Sequence, residues 1–106
     1  MRNIPYTIIR NTEFNEWLNG ISKSKQLIIE DRIERLSWGH FGDHKRFEGL
    51  IELRWRNGFR VYCFNKSNKI IIVLLGGNKN GQSKDIRKAK KIKETYIYST
   101  CAFHKS

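Results

Sequence analysis

Apolar and polar positions change their period several times along this chain, and each change marks an element. Tyr6-Thr7-Ile8-Ile9 reads as a short strand, with Pro5 tolerated at its start. Phe14, Trp17, Leu18 and Ile21 then recur at i, i+3, i+4 and i+7, the stripe of a helix that Asn11 or Thr12 caps and Asn19-Gly20 ends. A second helix, from Ser22 or Ser24 to about Trp38, turns Leu27, Ile29, Ile33 and Leu36 inward and leaves Glu30, Asp31, Arg32, Glu34 and Arg35 outside. Gly39 to Phe47 is polar and predicts a loop. Ile70 to Leu75 is apolar on both faces, the pattern of a buried strand, and Gly76 to Gly81 is a loop. The last helix runs from about Gln82 to Tyr96 on Ile86, Ala89, Ile92 and Tyr96; residues 99–106 show no period and predict a loose tail after a single domain spanning 1–98. With the hairpin described next, the order is β-α-α-β-β-β-α. This is an α+β pattern in which two short-linked helices pack as a hairpin on one face of a sheet.

The stretch Glu48 to Phe64 organises the rest. It reads as two strands around Asn57-Gly58, a pair that tolerates positive φ. Side chains alternate faces along a strand, so loop length decides which residues share a face. A two-residue loop sets Trp55 against Arg60 and Leu53 against Tyr62, mixing charge and core on both faces. A three-residue loop, Arg56-Asn57-Gly58, pairs Trp55 with Phe59, Leu53 with Val61 and Ile51 with Cys63, and one face becomes wholly apolar. The same register sets Arg54 opposite Arg60. Like charges placed so are destabilising without an anion or solvent between them, and the face reads as an anion-binding one.

Charge extends that reading. Among 106 residues, 21 lysines and arginines against 10 acids give a net +11, which points to a polyanionic partner. Two cysteines, Cys63 in a strand and Cys101 in the tail, make no disulfide framework and fit a reducing cytoplasm. Pro5 and Arg10 interrupt any apolar leader, and the longest apolar run is strand-sized, so no membrane segment is expected.

Other constellations are weaker. Gly76-Gly77-Asn78-Lys79-Asn80-Gly81-Gln82-Ser83 approaches a phosphate loop, but Gln82 stands where the lysine that reaches the phosphates belongs. A strand-to-helix turn of this kind can still hold one phosphate on its backbone amides. His40, His44 and His104 with the two cysteines lack metal-ligand spacing, and neither a metal nor a cofactor is expected. His44 is a candidate acid or base beside a phosphate. Glu52, two residues before Arg54 on the same strand face, is a buffering partner for the arginines or a general base.

Gly42-Asp43-x-Lys45, Glu52-Leu53-Arg54, Gly58-Phe59-Arg60-Val61-Tyr62 and Gly76-Gly77-x-Lys79, followed by Gln82, Asp85-Ile86 and Ala89, form an ordered set. In this order and spacing the set resembles the RelE/ParE superfamily of toxins from toxin–antitoxin pairs, in particular its HigB-like addiction-module killer proteins. The resemblance implies a RelE-like fold with the helical hairpin on one side of an antiparallel sheet, and a small antitoxin as partner. RelE-like members cut messenger RNA on the ribosome without a metal, using the 2′-hydroxyl as nucleophile; ParE-like members inhibit DNA gyrase and cut nothing. Arg60 matches the strand arginine of the RelE motif, and Lys79 approximately matches its second basic residue. The RelE lysine pair falls here on Leu50 and Glu52, and its C-terminal tyrosine falls near Asp85 and Ile86. The expected site is therefore Arg60, Lys79, Arg54, His44 and Glu52 for chemistry, with Lys45, Arg46, Arg56, Lys84 and Arg87 contacting RNA phosphates. An mRNA endonuclease toxin acting on the ribosome is the first reading; a gyrase inhibitor or a plain nucleic-acid-binding module is the alternative.

Overall fold

The computed structural model describes residues 5–105, with side chains through Tyr98. In chain order it contains β1 (Thr7–Arg10), α1 (Thr12–Asn19), α2 (Lys23–Ser37), β2 (His44–Phe47), β3 (Leu50–Arg54), β4 (Phe59–Asn65), β5 (Ile70–Asn78), a 3-10 turn (Lys79–Gly81) and α3 (Gln82–Lys105). The strands form one sheet in the order β1-β5-β4-β3-β2. The helical hairpin α1–α2 thus carries the chain from one edge strand across the sheet to the other, and β2 to β5 meander back.

Two features correct the expected order. The sheet is mixed, because β1 runs parallel to β5. The segment expected as a loop contributes a further strand, β2, paired antiparallel to β3 from His44↔Leu53 to Phe47↔Leu50. Glu48 and Gly49 join the two strands, both at positive φ (51° and 78°), as a two-residue hairpin of the I′ kind requires. The α3 backbone also continues past Tyr96, through the residues read as a tail, to Lys105.

The two sheet faces carry separate cores. On the hairpin side, Phe14 and Leu18 of α1 and Ile29, Ile33 and Leu36 of α2 meet Ile51, Leu53, Val61, Cys63, Ile71 and Val73. Leu27 was expected in this stripe but is 71% exposed. At 100° per residue it lies about 200° around the helix from Ile29, on the far side. On the other side, Ala89 of α3, with Ile86, Ile92 and Tyr96, covers Leu50, Tyr62, Phe64, Ile72, Leu74 and Leu75. A register shift between Tyr62 and Cys63 leaves Leu74 unpaired on β5, so Leu74 and Leu75 both face α3. Asn11 joins the layers: its amide donates to the Leu74 carbonyl (3.1 Å) and its carbonyl accepts from the Tyr96 hydroxyl (2.8 Å).

Candidate anion-binding site

The β3–β4 hairpin adopts the three-residue loop. Gly58 sits at φ 100°, its amide donates to the Trp55 carbonyl (3.0 Å), and the Trp55 amide donates to Phe59 (3.1 Å). Ile51 pairs with Cys63, Leu53 with Val61 and Arg54 with Arg60. Leu53 and Val61 are fully buried against the helical hairpin, so alternation sends both arginines to the α3 side. That side is covered by α3, whose first turn brings Gln82 and Asp85 against the strands.

Two rows cross the strands here. In the first, Arg54, Arg60 and Gly77 lie side by side on β3, β4 and β5. Gly77 leaves room for a carboxylate: a Cβ there would fall 2.1 Å from Asp85 Oδ2. The second row is Lys45, Glu52, Tyr62 and Leu75. Glu52 is 0% exposed. One of its oxygens accepts from Arg54 Nε (2.9 Å), the other from the Gln82 amide at the start of α3 (2.5 Å). Burial alone would raise its pKa, but contacts with Arg54, Gln82 and Tyr62 outweigh burial and hold it below the ordinary carboxylate range. Burial and the neighbouring Glu52 push the Tyr62 hydroxyl well above the usual tyrosine value.

Arg60 is only partly committed. Its Nη1 donates to the Phe59 carbonyl (3.0 Å) and more weakly to Trp55 (3.4 Å). Its Nε is buried without a hydrogen-bond partner. Buried donors are rarely left so. Lys79 borders the row, its amide donating to Gly58 (2.8 Å) and its exposed chain passing the hairpin turn 3.7–3.9 Å from where a Gly58 Cβ would stand. Arg32 braces the outer end from α2. It donates to the carbonyls of Phe41, Asp43 and Arg54 (2.6–3.2 Å) and stacks on Trp55 at 4.6 Å.

An uncharacterized protein of Haemophilus influenzae is 41% identical to this chain over 81 residues, 73% of the chain and 82% of that protein. The two belong to one family. No family model matches the sequence. Among solved structures, a chain of the toxin–antitoxin complex RelBE2 from Mycobacterium tuberculosis superposes with a TM-score of 0.57, covering 71% of this chain and 99% of that one at 18% identity. At that identity the likeness concerns the fold, and it is the RelE-like fold that the motifs imply.

The family fold divides the expected site residues between the two faces. Arg54, Arg60 and Glu52 share the α3 face; Lys45, exposed, lies across from Glu52 on the same side. His44 pairs with Leu53 and therefore faces the helical hairpin, its Nδ1 2.8 Å from the Gly42 carbonyl and its ring 5.2 Å from Phe41. Arg46, two positions on, lies on that face too, over Phe41 at 5.0 Å and bonded to Asn65. Arg56 is exposed in the hairpin loop, and Lys84 and Arg87 are exposed on the first turns of α3. Reading the residues singly does not find Tyr62, Asp85 or Gln82 as neighbours of the arginines. Their signal is positional: a glycine within a strand marks a close approach, and Gly77 marks the seat of Asp85.

Cys63 is buried and its thiol is pushed up to about 12 by that burial, which keeps it unreactive. Among the described residues no group of three His, Cys, Asp or Glu is placed to hold a metal. No helix among them is long and apolar enough to cross a membrane. Two surface hollows lie apart from the arginine row, one between β1 and α2 around Arg10 and Glu30, the other beside the Glu48-Gly49 turn.

Proposed function

We propose that this protein is the toxin of a type II toxin–antitoxin system, of the RelE/ParE superfamily and nearest in motif to its HigB-like members. In this reading it acts in the cytoplasm by cutting messenger RNA on the ribosome, without a metal, until a cognate antitoxin covers it. One observation carries the proposal: two partly exposed arginines face each other across adjacent strands beside the Lys79 turn. Fixed guanidinium groups are what a phosphate in transition needs as charge gathers on its oxygens. The net +11 supports a polyanionic target, and the RelBE2 likeness supports the fold in which such a toxin is built.

Glu52 takes the supporting role of the two weighed for it. Fully buried between Arg54 and Gln82, it holds Arg54 in place and is not offered to a substrate. His44, on the other face, is not beside the arginines either. This arrangement favours, as the second reading, a toxin that binds DNA gyrase and performs no chemistry.

The test is induced expression in bacteria with primer extension on cellular messages. The expected result is growth arrest with cuts in translated frames, relieved by co-expressing the adjacent reading frame. A folded Arg60→Ala/Lys79→Ala variant should lose the arrest. Each charge-assisted phosphate contact removed costs about 1.5–3 kcal/mol, roughly one to two orders of magnitude. Full toxicity in that variant would sink the site, and intact messages with DNA-damage signalling would favour the gyrase reading.

A further inference from the structure

We propose that Asp85 is the catalytic base of this site, seated on Gly77 beside Arg60 to take the proton from the attacking 2′-hydroxyl of RNA. The inference rests on the cleavage reading above and supplies the proton-transfer group that Glu52 and His44 do not.

The geometry comes from three elements. Arg60 and Gly77 are direct partners on β4 and β5. The Asp85 carboxylate reaches down from the first turn of α3 into the space where a Gly77 side chain would be, 2.1 Å from the missing Cβ. Directly opposed Cβ positions in an antiparallel pair are about 4.5–5.5 Å apart, so the carboxylate lies over the root of the Arg60 side chain. The Tyr62 hydroxyl, next to Glu52, is close enough to feel the Asp85 charge. The arginines and a carboxylate that could accept a hydroxyl proton thus lie along one row of the sheet.

The two carboxylates of this face have been driven apart. Glu52 is held low by Arg54 and Gln82 and spends both oxygens on them. Asp85 is raised by burial, which outweighs the opposing pull of Lys84 and Lys88. Lys88 is itself engaged by Glu13 of α1 at 2.8 Å. From the sheet, Arg60 and Tyr62 face Asp85, with Glu52 and Arg54 one strand further. Two acids with opposed shifts commonly divide structural and proton-transfer roles. In the step, the 2′-oxygen bonds to phosphorus and its proton passes to Asp85. The bond from phosphorus to the 5′-oxygen breaks, that oxygen takes a proton from water, and a 2′,3′-cyclic phosphate and a 5′-hydroxyl end remain.

The test uses purified protein, programmed ribosomes and messenger RNA, following both cleavage and ribosome binding across pH. Asp85→Asn should slow cleavage by about 10²–10⁴-fold, the usual worth of general acid–base catalysis, with ribosome binding and thermal melting unchanged. Wild-type rates should fall as pH drops through an apparent pKa above the ordinary aspartate range, and that limb should vanish in the variant. Gly77→Ala is a second probe, since its methyl would displace the carboxylate while the extended backbone accepts alanine; it too should cut slowly. An Asp85→Asn protein that cuts at the wild-type rate with the same pH profile overturns this assignment and leaves the toxin reading standing. A wild-type protein that binds ribosomes and cuts nothing overturns both.

Discussion

Arg54→Ala tests the link between the buried carboxylate and the arginine pair. Glu52 is 0% exposed and Arg54 is 32% exposed, and the variant leaves the carboxylate with the Gln82 amide as its remaining donor at normal hydrogen-bond geometry. Removing one partner of a buried ion pair costs about 3–5 kcal/mol. The partial exposure of Arg54 lets water relieve some of this, which points to the lower end, about 3 kcal/mol. For a domain of this size that corresponds to a fall in Tm of roughly 12–24 °C. The pH dependence is the sharper signature. In the wild type the folded pKa of Glu52 is below its ordinary 4.5. Its contribution is therefore complete above that value and lost as pH falls through the folded pKa. In Arg54→Ala the largest of the lowering contacts is gone, so burial pushes the folded pKa up from its wild-type position. The ionised carboxylate is then stabilised less, and the variant loses ground to wild type as pH climbs. Urea melts from pH 4 to 8 should show the gap between variant and wild type widening with pH. Arg54→Ala/Glu52→Gln, with no charge to bury, should close most of it. A single variant within about 1 kcal/mol of wild type, or a gap that does not change with pH, would refute the reasoning.

The remaining predictions concern the hairpin side. Leu53, fully buried, should cost about 2–5 kcal/mol as Leu53→Ala in denaturant melts; a loss below 1 kcal/mol would contradict the core described. Gly76→Ala would place a methyl 2.2–2.5 Å from the Trp17 ring. It should cost about 1–3 kcal/mol by overpacking and shift tryptophan fluorescence, and an unchanged spectrum would mean that Trp17 is not seated there.

What the sequence made legible was the part governed by short-range alternation. Requiring one apolar face on Ile51, Leu53, Val61 and Cys63 was enough to choose the hairpin loop, and with it the Arg54–Arg60 pairing. β2 escaped because His44-Lys45-Arg46-Phe47 has no apolar alternation. As an edge strand it presents polar side chains on both faces, and only backbone pairing to β3 reveals it. Glu48-Gly49 also lacks the asparagine or aspartate that usually flags such a turn. The parallel union of β1 with β5 leaves no local mark at all, since it joins strands about sixty residues apart in the chain. Within the site, strand alternation foretold which face Arg54 and Arg60 share. It said nothing of Asp85 and Gln82, which arrive from α3 and are placed by where that helix crosses the sheet.

That parallel union also sets a timetable for synthesis. β1 is made before the other strands, yet among the described residues its strand partner is β5, with Thr7 beside Ile70 and Arg10 beside Val73. The ribosome must add about sixty residues in between, about 3–12 s at typical elongation rates. Throughout that interval β1 lacks its partner strand, and the α1–α2 hairpin lacks the β5 part of the surface on which its stripe is buried. The arrival of β5, which alone joins β1 to the meander of β2 to β4, is therefore the closing event of the sheet. Until β5 emerges, the arginine pair lacks Gly77, its third neighbour in the row, and the nascent chain carries its charge without its site.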